Sequence, residues 1–139
     1  MGRLYSITGA YLEEGDSSID FFGGYFAKRE EDDYFIGQSI DSVGPSSIEG
    51  MLSGNSLLFN QKYFGQEELI EYDLEYNEEY HLWIGKISYL NQEVGTANCV
   101  IFPAFKNIDF KGMPHKKILI GREVYEILTL MDINELNLD

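Results

Sequence analysis

The chain has 139 residues, with 24 acidic and 10 basic side chains and a net charge of −14. So few bases disfavour direct binding to nucleic acid or to an anionic membrane, because phosphate contacts need Lys and Arg in numbers. One hydrophobic core is enough at this length, and the lone Cys99 excludes an intramolecular disulfide.

Composition points to pleated strands: 14 glycines, 3 prolines, 10 tyrosines, 9 phenylalanines and one tryptophan. Residues 3–12, RLYSITGAYL, read as a first strand, and Glu13-Glu14-Gly15-Asp16 as a charged turn. Residues 18–28 form a second strand with Gly23-Gly24 at its centre, where interior glycine marks a bend or close packing. Glu30-Glu31-Asp32-Asp33 is a solvated turn whose charges discourage edge pairing.

Residues 34–43 alternate Tyr34, Ile36, Gln38 and Ile40 against Phe35, Gly37, Ser39 and Asp41, the period of a strand with two faces. Gly44-Pro45-Ser46 turns the chain into residues 47–52, and Ser53-Gly54-Asn55 turns it again into residues 56–64. Residues 69–76, LIEYDLEY, have the clearest faces: Ile70, Tyr72, Leu74 and Tyr76 inward, Glu71, Asp73 and Glu75 outward. Residues 79–90, with Trp83 and Gly85, and residues 95–102 complete eight strands, Asn91-Gln92-Glu93 closing the last hairpin.

Eight strands joined by short turns predict an all-β, up-and-down antiparallel barrel, with a two-sheet sandwich as the alternative. Past Pro103 the pattern changes. Val124, Ile127, Leu128 and Met131 share one helical face and predict a C-terminal helix over residues 122–132. The chain is thus expected to be a single domain, barrel over residues 1–102 and loop, helix and tail over 103–139. No signal-peptide pattern or membrane-length apolar run is present, so a cytoplasmic protein without membrane contact is expected.

Phe35-x-Gly37, Asp41-x-x-Gly44, Ile48-x-Gly50, Phe59-x-Gln61-x-Tyr63, Ile70-x-Tyr72, Trp83-x-Gly85 and Gly95-Thr96 together resemble the pattern of small calycin-like barrels, the group of lipocalins and avidins. The resemblance covers residues 20–102 and implies a fold more than an activity. Gln61 stands where such patterns often carry Lys. Ile7-Thr8-Gly9-x-Tyr11 is similar to an avidin opening strand, but a biotin pocket is walled by several tryptophans and this chain has one.

No catalytic set is legible. Ser46 or Ser47 with His81 and Asp41 lacks any element that would position a triad. Asp41 and Glu49 flank a turn, where Asp ordinarily caps the backbone. Cys99 has no positive neighbour to activate it, and two histidines with one cysteine suggest neither a metal site nor a cofactor. The expected ligand-binding residues are therefore those of the lumen: Gln61, Tyr63 and Tyr72, with Trp83 and His81 co-lining. Two functions follow: binding of a small apolar or aromatic ligand, or a filled barrel whose acidic surface, Glu30 to Asp33 and Glu67 to Glu79, meets a basic protein as an inhibitor or nucleic-acid mimic. An enzyme is the least supported class.

Overall fold

The computed structural model describes residues 2–103, so the helix expected over 122–132 lies outside the described residues. Eight strands follow in order: β1 Gly2–Glu13, β2 Asp20–Arg29, β3 Tyr34–Ile40, β4 Pro45–Ser53, β5 Ser56–Tyr63, β6 Ile70–Asn77, β7 Leu82–Tyr89 and β8 Gln92–Pro103. Each pairs antiparallel with the next, and β1 pairs with β8, so the sheet closes into an up-and-down barrel. Closure rules out the two-sheet sandwich, and it satisfies the hydrogen-bonding edges that an open sheet would expose.

Alternation decides which side chains fill the barrel. Tyr72 and Leu74 are buried while Glu71, Asp73 and Glu75 are exposed. Phe26, Phe35, Leu57 and Leu74 have no exposed surface, and burying each contributes roughly 1.5–3 kcal/mol. On β6 the acids thus face outward and the apolar side chains inward.

Inward glycines make room for these rings. Gly37 is the cross-strand partner of Phe26, Gly50 of both Phe35 and Phe59, and Gly9 of Phe22. A Cβ on Gly37 or Gly50 would lie 2.6 Å from the Cβ of Phe26 or Phe59. The rings consequently lean across the lumen, Phe26 to Phe35 at 4.4 Å and Phe35 to Phe59 at 6.1 Å between centroids.

Several strand ends differ from the sequence reading. β3 stops at Ile40 because the Asp41 carboxylate accepts from the backbone N–H groups of Val43 and Gly44. The last hairpin turns at Leu90-Asn91, both with positive φ (52° and 63°), so β8 begins at Gln92 rather than at Gly95. On the outward side Leu4, Ala27 and Gln38 are also buried.

The strand order gives the barrel two unlike ends. One holds the β1–β2, β3–β4, β5–β6 and β7–β8 hairpins, and the other holds Gly2, Pro103 and the remaining three turns.

Candidate functional site

The aromatic core fills the lumen toward the Gly2 end, but at the four-hairpin end the side chains leave a cavity of about 370 Å³. Its walls are the rings of Tyr11, Tyr63, Tyr72 and Tyr89 with the aliphatic side chains of Ile70, Ile87 and Val94. Glu13, Gln61, Gln66 and Glu68 complete the lining.

Each wall residue is placed by the pleat of its own strand, except Val94. There the β7–β8 register shifts: Ile87 pairs with Gly95 and Ser88 with Glu93, so Val94 is the extra residue of a β-bulge. A bulge re-aims a side chain that strict alternation would send the other way.

A polar network, hydrogen-bonded throughout, forms one side of the cavity. The Tyr72 hydroxyl donates to Gln61 Oε1 at 3.0 Å, and Gln61 Nε2 donates to Ser46 Oγ at 2.9 Å and toward Asp41 Oδ2 at 3.4 Å. Ser46 and Ser39 share a 2.8 Å hydroxyl contact. The Tyr63 hydroxyl donates to Asp41 Oδ2 at 2.6 Å, and Tyr11 is hydrogen-bonded to Tyr63. Ser39, Ser46 and Gln61 are at most 2% exposed, a depth at which any unpaired polar group would cost about 1–3 kcal/mol.

The same surroundings keep the phenols protonated. Burial pushes Tyr11 up to about 12, and burial followed by the Asp41 hydrogen bond raises Tyr63 further. Tyr72 is raised chiefly by burial, with the negative ends of Tyr11 and Asp41 adding to it.

Of the residues expected from the sequence, Gln61, Tyr63 and Tyr72 meet at this cavity. His81 and Trp83 do not. His81 is exposed in the β6–β7 turn at the Gly2 end, with φ 56°, and its Nδ1 lies 3.4 Å from the Tyr76 hydroxyl. Trp83 is inward and half-buried, but Tyr76 packs edge-on against it at 5.3 Å, far along the strand from Tyr89.

The alternatives to ligand binding lack their geometry. Ser46 is committed to Gln61 and Ser39, Ser47 lies on the outward side, and His81 is at the other end of the barrel, so no triad assembles. Glu49 faces out and accepts from Tyr34 at 2.7 Å, so it forms no pair with Asp41. Cys99 is buried, and its thiol is pushed up to about 12 by that burial, which disfavours the nucleophilic thiolate. Among the described residues no group of three or more His, Cys, Asp or Glu is placed to hold a metal.

Sequence reasoning missed Tyr11, Ile70, Ile87, Tyr89 and Val94 as wall residues. Ile70 shares the inward face read for its strand, and Ile87 and Tyr89 alternate in phase with Trp83; no face is assigned from sequence to the strand of Tyr11, and Val94 carries no signal, because a bulge breaks the phase. Comparison of the chain with protein-family models, with curated proteins and with solved structures gave no match.

Proposed function

We propose that this chain is a calycin-like barrel that binds a small, largely apolar or aromatic molecule in the cavity at its four-hairpin end. One observation carries the reading: beside the aromatic core a cavity at the four-hairpin end is walled by tyrosine and aliphatic side chains. Its volume of about 370 Å³ falls in the range of small-molecule sites, which combine apolar walls with a few fixed polar groups. The hydrogen-bonded network of Tyr72, Gln61, Asp41 and Tyr63 supports the reading, because it holds the walls without needing a ligand. A filled barrel acting only through its acidic surface is the weaker alternative, since the lumen is not filled.

The neutral fluorophore N-phenyl-1-naphthylamine tests this. Its emission rises on entering an apolar pocket, and the expected result is saturable enhancement with the native chain. Val94→Trp and Ile70→Trp each place an indole in the cavity and are expected to weaken binding at least about tenfold, the effect of losing roughly 1.4 kcal/mol of contact. No enhancement with the native chain, or equal enhancement in both folded variants, refutes the pocket.

A further inference from the structure

The lining of the cavity also specifies the charge of its occupant, an inference that rests on the pocket reading above. Glu13 and Glu68 are in the lining, and Asp41 stands directly behind Tyr63; among the described residues no Lys, Arg or His belongs to it. The neighbouring segments add Glu14, Asp16, Glu67 and Glu93; of the described bases, Arg3, Lys28 and Arg29 sit at the opposite end of the barrel, and Lys62 and Lys86 occupy outward positions of β5 and β7. An entering anion would lose its hydration against like charges.

Hydrogen-bonding capacity points the same way. The hydroxyl of Tyr63 is given to Asp41, that of Tyr72 to Gln61, and the Gln61 amide to Ser46. The donors of the network are thus spent inside the protein; beside the Gln66 amide and the Tyr89 hydroxyl, what the cavity offers is carboxylate oxygens at the mouth and the π-faces of four tyrosines. An ammonium group is all donor and carries the complementary charge, and tyrosine faces attract a cation within about 6 Å. The carboxylates do not converge as metal ligands do among the described residues, so the charge to be matched is organic.

We propose that the cavity selects a primary or secondary amine carried on an aromatic or branched aliphatic body, with the ammonium at the Glu13–Glu68 mouth and the body between Ile70, Ile87 and Val94. The ring enters first, and the charged end stays near water, where its desolvation is least costly.

Three probes that share one ring system separate charge from shape: tryptamine, tryptophol and indole-3-propionate. Each is titrated into the full chain, followed by NMR shifts of the Ile70, Ile87 and Val94 methyl groups, so that loose attraction to the acidic surface is not counted as binding. Tryptamine is expected to bind about tenfold more tightly than tryptophol, and indole-3-propionate more weakly than either. In the double variant Glu13→Gln, Glu68→Gln the tryptamine advantage should shrink to about threefold or less with tryptophol unchanged. Raising ionic strength from about 0.01 M to 0.15 M should shrink it in the native chain as well. If tryptophol and the naphthylamine bind but tryptamine has no advantage, or keeps it in the double variant, the amine assignment is overturned and the pocket stands. If neither neutral probe binds, both readings are overturned together.

Discussion

The Tyr63 hydroxyl and the Asp41 carboxylate, 22 residues apart, are joined at 2.6 Å across the intervening strand β4. The other oxygen of the same carboxylate accepts from the backbone N–H groups of Val43 and Gly44. One side chain therefore both closes the β3–β4 turn and fastens it to the wall of the cavity.

Removing that carboxylate should cost stability in proportion to the bonds lost. Asp41→Ala deprives the two turn amides and the Tyr63 hydroxyl of their acceptor, and a loss of about 2–3 kcal/mol is expected. Asp41→Asn keeps one acceptor oxygen and should lose about 1 kcal/mol. Urea midpoints at pH 7 measure both; equal stability of Asp41→Ala and the native chain would show that the turn is held by other means.

Tyr72→Phe isolates the buried part of the network. Its ring stacks on Phe59 at 4.4 Å and would stay in place, but Gln61 Oε1, which accepts from the Tyr72 hydroxyl, would lose that donor. A destabilisation of about 1–2 kcal/mol is expected, and the further change Gln61→Leu should recover part of it, because no polar atom is then left stranded. A double-mutant cycle measures the coupling.

Alkaline pH should weaken the fold through its tyrosines. Tyr11 is pushed up to about 12, and Tyr63 and Tyr72 also lie above the ordinary 10.0. Between the unfolded and folded values the folded state holds protons that the unfolded chain has released, so stability falls as pH rises. It is at its full value below about pH 10 and declines above it, by about 1.4 kcal/mol per pH unit for the buried Tyr72 alone. Urea titrations from pH 8 to 12, with phenolate absorbance followed in parallel, check the slope; a flat profile would contradict the burial of these hydroxyls.

Two glycines, Gly50 in β4 and Gly23 in β2, should respond oppositely to the same change. A Cβ on Gly50 would lie 2.5 Å from Phe59 Cα and closer still to the Leu58 carbonyl oxygen, whereas one on Gly23 meets nothing nearer than 3.9 Å. Gly50→Ala is expected to cost about 3 kcal/mol by forcing β4 away from β5. Gly23→Ala should be neutral or stabilise by up to about 1 kcal/mol, through the entropy of the unfolded chain. Thermal midpoints of the two variants decide the matter.

The sequence by itself determined which residues share a face. The spacing of Ile70, Tyr72, Leu74 and Tyr76 against Glu71, Asp73 and Glu75 settles the inside of β6, since side chains alternate with period two and only one set is apolar. The turn residues likewise marked most of the hairpins, and their number implied eight strands. Depth along the barrel is a different matter. Tyr72 and Trp83 belong to the same inward face, yet the register Tyr76↔Trp83 and Ile70↔Tyr89 sends one toward the cavity and the other toward the opposite end. Alternation carries no information about that axis, because sliding a strand by two residues leaves its faces unchanged. Closure of β1 on β8, the bulge that turns Val94 inward, and the end at which the rings of the core stop short were all decided by the pairing of strands distant in the chain. The rings of Phe22 and Phe59 pack against Tyr72, and only the tertiary packing of that aromatic cluster leaves the space beside Tyr72 at the four-hairpin end open.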